Sequence, residues 1–378
     1  MNARIADLFP ATETCIYLNH AAVAPWPQAT AEVVQAFAAE NAKQGTLNYP
    51  QWLKVEQNLR EQAATLLNAH ADEIALVKNT SEGLSFVAYG LEWRVGDNIV
   101  GIQQEFPSNR FVWQSLAEQG VEFRMLDLTH APDDPETALL KLCDSNTRLI
   151  SVSAVQYANG LRMDLKRIGE FCQRHDILFC VDAIQQLGVI PLDVQAIQAD
   201  FVVADGHKWL LAPEGLGLFY VRQTHLAQLK LTQYGWHTAE NLSDYSVQTY
   251  QIAQSARRFE CGSPNMLGIH ALHASLNVLL THGIADIWQQ VSERIEFLIQ
   301  GLSEISDVEL LSDTRLERRS GIVSFKLKQG DTHALYQYLQ ANGVFCAPRG
   351  GGIRLSPHFY TPMAQLAQVL TLLRQFLA

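Results

Sequence analysis

The chain has 378 residues, 48% of them hydrophobic, enough to bury a substantial core in two domains. Its 28 Lys and Arg against 39 Asp and Glu leave a formal charge of −11, which argues against nucleic acid or an anionic membrane as the main partner. No apolar run reaches membrane-spanning length, the start MNARIADLFPATETC lacks the apolar stretch of a secretory signal, and the six scattered cysteines form no CxxC pair or Cys/His cluster.

Those features predict a protein of a reducing cytoplasm with neither a disulfide framework nor a bound metal. Along the chain, residues 29–45 and 52–69 carry apolar side chains at three-to-four spacing and predict helices. A short strand, Ile74–Val77, runs into Asn79-Thr80-Ser81-Glu82-Gly83 and a buried helix, LSFVAYGL. Strand-and-helix alternation continues through NIVGIQ, a helix near 109–119, FRMLDL, RLISVSAV, a helix at 164–174, and the strands ILFCVDA, DFVVA and LFYV. This predicts an α/β fold, a mainly parallel sheet with helices on both faces. After Pro264 the composition changes to long helical runs (266–282, 286–304) and an α+β tail holding GIVSFKL, GVFCA, GIRLS and a last helix at 362–377. The expected division is therefore a large domain over 16–265 and a smaller one over 266–378, with residues 1–15 as an N-terminal arm.

Two side chains stand out. Asp182 closes the strand ILFCVDA, and Lys208 follows DFVVA in Asp205-Gly206-His207-Lys208-Trp209. Open α/β sheets place ligands beyond the carboxyl ends of their strands, so both point toward one crevice. A carboxylate and an amine in one crevice suit pyridoxal 5′-phosphate (PLP), whose aldehyde forms a Schiff base with the amine and whose ring nitrogen is kept protonated by the carboxylate. Taken singly, an Asp at a strand end caps a helix and a Lys in a loop is a solvated charge.

The combination V-D-x-x-Q, G-H-K-W and the turn Pro213-Glu214-Gly215-Leu216-Gly217 resembles the class V aminotransferase family of PLP enzymes, which includes cysteine desulfurases, selenocysteine lyases and isopenicillin N epimerase. The resemblance implies a fold-type-I PLP transferase with a mainly parallel seven-stranded sheet and a smaller α+β C-terminal domain. It implies that Lys208 is the Schiff-base lysine and the base for the Cα proton, that Asp182 pairs with the ring nitrogen, and that Gln185 lies by the phenolic oxygen. Thr80 and Ser81 would grip the phosphate, although Thr-Ser-Glu is also ordinary helix-cap chemistry. Phe106, in E-F-P-S-N, stands where desulfurases carry a histidine; it can stack on the ring but cannot carry a proton, and it could equally be core. Gln156 and Tyr157 are placed near the phenolic oxygen or the substrate, and His207 near the phosphate. Asp205 departs from the serine of many relatives; since an ionised Asp would repel a phosphate, either it faces away, toward a backbone amide or His207, or the phosphate grip is arranged differently.

In Arg257-Arg-Phe-Glu-Cys-Gly-Ser263-Pro-Asn, the resemblance implies that Ser263 serves the partner subunit's phosphate across a homodimer interface, while Gly-Ser-Pro-Asn is also good turn chemistry. Arg354, in G-I-R-L-S-P-H-F-Y-T, is the expected clamp for the substrate carboxylate. Asn19, His20 and Trp236 are further substrate-side candidates. The segment before Arg354 is too short for the loop that carries a desulfurase's catalytic cysteine, and Cys346 in GVFCA reads as a small buried hydrophobe. The leading expectation is therefore an aminotransferase acting at Cα of an amino acid. A cysteine or cystine C–S lyase and an isopenicillin N epimerase-like enzyme are the alternatives.

Overall fold

In the computed structural model, which describes residues 5–130, 133–242, 246, 248–249 and 251–378, the apolar runs become strands. In chain order they are β1 (Ile16–Tyr17), β2 (Ile74–Val77), β3 (Asn98–Ile102), β4 (Glu122–Leu126), β5 (Thr147–Ser153), β6 (Leu178–Asp182), β7 (Phe201–Asp205) and β8 (Gly217–Val221). Strands β2 to β8 form one seven-stranded sheet in the order β2-β8-β7-β6-β5-β3-β4. Strand β8 runs against both its neighbours, and the rest of the sheet pairs in parallel. Its inner strands are buried on both faces, which is why they read as continuous apolar runs rather than as alternating ones.

The two faces belong to separate cores. Val100, Ile150, Phe179, Val181 and Val202 pack on one side, and Ile99, Leu149, Cys180, Phe201 and Val203 on the other, the period of two expected of a strand. Helix Thr80–Gly90 lies close on the second face. A Cβ at Gly83 would stand 2.7 Å from Val203 Cγ1, so only glycine lets the helix approach that far.

Helices Gln28–Gln44, Tyr49–Leu67 and Met266–His282 pack together. Arg60 on the second of them is buried between two carboxylates, Glu56 and Glu260, each at 2.5 Å. Glu260 also accepts from the Leu76 amide at 2.8 Å, tying that helix to β2 and to the segment leading to Ser263.

The C-terminal part builds a four-stranded antiparallel sheet from β9 (Val308–Leu310), β10 (Val323–Leu327), β12 (Ala347–Arg349) and β13 (Gly352–Leu355), in the order β12-β13-β10-β9. The expected single strand GVFCA is split. Its first half, β11 (Val344–Phe345), pairs in parallel with β1, and after Cys346 the chain changes partner to β13. The cause is the N-terminal segment: the Ile16 and Leu18 amides capture the Gly343 and Phe345 carbonyls. The same segment continues past Ser356 to Ala24, whose amide donates to the His207 carbonyl beside Lys208.

Candidate active site

The carboxyl ends of β3, β5, β6 and β7 open into a cleft of about 330 Å³, lined by Thr80, Ser81, Phe106, Tyr157, Asp182, Gln185, Asp205, His207, Lys208 and Arg354 among others. The loop after β7 is held by Gly206 and Ala212, and Leu211 sits at a positive φ of 59°. Below it, the buried Trp209 indole donates to Gln185 Oε1 at 2.9 Å. The Gln185 amide nitrogen donates to the Ala21 carbonyl, so this side chain is fixed by the scaffold as it faces the cleft.

Asp182 ends β6 with both oxygens engaged. Oδ1 accepts from the Ile184 amide at 2.9 Å and Oδ2 from Asn109 Nδ2 at 2.6 Å. Burial pushes its carboxyl pKa up, against the Ile184 amide and the Lys208 ammonium, which hold it down. Burial lowers the Lys208 amine to about 8; Asp182 opposes that shift and Arg354 reinforces it. An amine depressed this far is better suited to accept a proton near neutral pH than a solvated lysine.

At the other end, helix Thr80–Gly90 begins with Asn79, whose Oδ1 accepts from the Glu82 amide at 3.0 Å. Thr80 Oγ1 is buried with no hydrogen-bond partner, an orphaned hydroxyl at a helix N-terminus that suits a phosphate oxygen. Ser81 Oγ donates to Ser108 Oγ at 2.8 Å. Asp205 accepts from the Gly206 amide and lies 3.1 Å from His207 Nδ1. Its charge is thus turned in both directions expected of it.

Phe106 is 46% exposed and is no core residue; its ring meets Tyr157 edge-on at 5.4 Å, and Lys208 Nζ lies 5.7 Å from its centre. Arg354 is buried, donates to the Tyr157 carbonyl at 2.7 Å and stands 3.5 Å from Asn19 Oδ1, while its Nε has no partner. The fully buried orphan and the donor-rich fork are what a carboxylate would fill. These vacant donors, the orphaned Thr80 hydroxyl and the Asp182–Lys208 pair fit PLP.

Four expected residues lie elsewhere. His20 is fully buried with Nδ1 2.8 Å from the Ser356 carbonyl and Nε2 2.6 Å from Tyr360 Oη, so its ring braces the N-terminal segment behind Trp209. Gln156 is turned under the site, donating to Glu105 at 2.9 Å. Trp236 stacks edge-on against His237, off the cleft wall. Ser263 lines a separate hollow with Lys78, Glu82 and Asn265, behind the helix that carries Thr80.

The structure adds residues that sequence reasoning missed. Asn109 orients Asp182, and its own Nδ2 lies 3.5 Å from Ser153 Oγ. Glu105 is buried beneath them, accepting from the Ser153 amide at 2.7 Å and from its hydroxyl. Arg349 stands at the mouth. Glu105 and Asn109 lie in the run E-F-P-S-N with Phe106, so the signal was present, but only the tertiary structure brings Glu105 to Ser153 and Asn109 to Asp182.

The model of the family described as Aminotransferase class-V matches residues 16–365. The chain belongs to that family. As a class V protein it is a PLP-dependent enzyme, and the mostly parallel seven-stranded sheet is the fold shared with its structural neighbours. It is 30% identical over 372 residues to a probable cysteine desulfurase of Methanothermobacter thermautotrophicus, covering 93% of this chain and 92% of the relative. It is 31% identical over 373 residues to a cysteine desulfurase of Yersinia pestis (strain Pestoides F), covering 96% and 88%. The apo structure of a cysteine desulfurase from Thermococcus onnurineus NA1 superposes with a TM-score of 0.89 at 23% identity, over 98% of this chain and 97% of that one. A complex of the cystine C–S lyase C-DES with cysteine persulfide gives 0.89 at 24% identity, over 96% and 98%.

Proposed function

We propose that this class V enzyme cleaves a C–S bond by β-elimination from an amino acid of the cysteine or cystine type. The names of its relatives at 30–31% identity favour C–S chemistry over the transamination expected first from sequence. One observation carries the choice of elimination over persulfide transfer to the enzyme: among the described residues no cysteine lines the cleft. Cys346, which precedes Arg354, is buried, and burial pushes its thiol up to about 12, far from the thiolate a sulfur acceptor needs.

PLP, when bound, supplies the electron sink that makes the Cα proton acidic. Arg354 holds the substrate carboxylate, helped by Asn19. Lys208 Nζ takes the Cα proton, and as the Cβ–S bond breaks, sulfur departs with the bonding pair. Cysteine and water then give pyruvate, ammonia and sulfide; cystine and water give pyruvate, ammonia and cysteine persulfide. Asp182, oriented by Asn109, would keep the ring nitrogen protonated, Phe106, Gln185 and Tyr157 would hold the ring, and Thr80, Ser81 and His207 would take the phosphate. In a homodimer Ser263 completes the partner's phosphate site.

The test is product analysis of PLP-loaded enzyme with cysteine, with cystine, and with an amino acid plus keto acid. Equal amounts of pyruvate and ammonia, unchanged in Cys346→Ser and lost by about a thousandfold in Lys208→Ala, are expected. Transfer of the amino group to the keto acid without pyruvate would restore the aminotransferase reading, and release of alanine from cysteine, lost in a Cys346→Ser variant of unchanged melting temperature, would make the enzyme a desulfurase.

A further inference from the structure

We propose that a hollow away from the cleft, where the C-terminal part meets the large sheet, is a second binding site. Its ligand is a small 2-hydroxy or 2-amino carboxylate with an apolar body, received by Arg162 and Arg318. The inference does not depend on the C–S lyase reading.

The hollow measures about 450 Å³ and shares no lining residue with the cleft. Three segments distant in sequence form its walls: the turn into helix Leu165–His175, the loop after β6, and the connection between β9 and β10. Gln185 and Gln186 are adjacent on the second of these, yet one lines the cleft and the other the hollow. The join between the walls is fixed. The Arg162 amide donates to the Arg318 carbonyl at 3.0 Å, and Arg318 Nη1 returns to the Arg162 carbonyl at 3.3 Å. The Arg318 fork also grips the fully buried Glu136 at 2.6 and 2.7 Å. Both arginines therefore start from a held backbone, which lowers the ordering cost of binding.

Three polar groups lining the hollow are left over. Glu136 occupies Nη1 and Nη2 of Arg318, but Arg318 Nε is buried with no partner. Arg162 is half-buried over the Trp288 ring at 5.9 Å, and among the described residues no carboxylate pairs with it. Burial lowers its pKa, with Asp164 opposing, which marks a desolvated cation. Gln186, only 3% exposed, donates Nε2 to the Pro191 carbonyl at 3.1 Å and keeps Oε1 without a partner. The acids of the hollow are engaged or solvated. Asp164 caps a helix through the Arg167 amide, Asp193 accepts from the Gln195 and Ala196 amides and from Asn68, and Glu317 is exposed. Vacant buried donors beside an unmatched cation suit the paired acceptors of a carboxylate. The Gln186 oxygen suits a hydroxyl or amino group next to it. Leu165, Leu192 and Ile197, buried in the same walls, offer apolar contact to the rest of the ligand.

The probe is 2-hydroxy-4-methylpentanoate, which has no amino group to react with the cofactor, compared with its primary amide. Binding to PLP-loaded enzyme is measured by calorimetry. Wild type is expected to bind the acid about tenfold more tightly than the amide. Arg162→Gln should erase that preference. Ala196→Trp, at an exposed position on the rim, should fill the hollow and abolish binding while leaving Arg162 in place. Both variants should keep the wild-type melting temperature, and Arg354→Gln, in the cleft, should keep the preference. No binding by wild type, an equal preference in Arg162→Gln, or binding retained in Ala196→Trp overturns the site. A preference lost in Arg354→Gln does so too, because the acid would then lie in the cleft.

Discussion

Glu105 shows how much a single buried side chain can contribute to this site. It stands beneath Ser153, Asn109 and Asp182, and burial moves its carboxyl up to about 7 despite three hydrogen bonds that favour the ion. Its ordinary value is 4.5, so between pH 4.5 and 7 the folded protein binds this proton more tightly than the unfolded chain does. The contribution is therefore complete below pH 4.5 and is lost as the pH rises through 7. In urea unfolding of the cofactor-free protein, Glu105→Gln is expected to flatten the pH dependence across that window by up to roughly 3 kcal/mol. An unaltered slope would show that the carboxyl is already ionised. The glutamate itself is plain in E-F-P-S-N, but its burial is a property of the β3–β5 register, which one sequence does not display.

Among the elements, the helix after β2 and the hairpin before Ser356 decide the two ends of the cleft. The first was legible in sequence, because a strand followed by Asn-Thr-Ser-Glu-Gly gives both a cap and a ring of amide donors. Asn79→Ala removes the bond to the Glu82 amide and is expected to destabilise the helix start by about 1 kcal/mol. It should also weaken PLP binding, measured by fluorescence titration; unchanged affinity would mean that the helix start does not hold the phosphate. The second element was only half legible. Gly350-Gly351-Gly352 announces a turn, but GVFCA reads as one strand, and its division at Cys346 depends on β1, more than three hundred residues earlier in the chain.

At the scale of the whole molecule, the ion cluster of Arg60 with Glu56 and Glu260 joins the N-terminal helices to β2 and to the approach of Ser263. Ser263 itself lies off the cleft of its own chain, in the hollow that includes Lys78 and Glu82. This position accords with the proposal that its hydroxyl serves a second subunit. Lys208→Ala and Ser263→Ala subunits, refolded together, are then expected to form mixed dimers in which one site has wild-type PLP affinity and turnover. Mixing that restores nothing, or a fully active monomer in sedimentation, would remove the shared site.

What the sequence determined by itself was the chemistry on offer and the layers that carry it. Apolar runs bounded by turns specify a doubly covered sheet and place Asp182 and Lys208 at one edge, because strand ends and ligand crevices coincide in such sheets. Only the tertiary structure decided which polar groups are desolvated, which are held, and which remain vacant. Asn109 reaches Asp182, Thr80 keeps an unpartnered hydroxyl, and Arg354 is held by the Tyr157 carbonyl with its Nε left vacant. The reason is that burial and hydrogen bonding depend on contacts between segments far apart in sequence, whereas periodicity and turn chemistry are local.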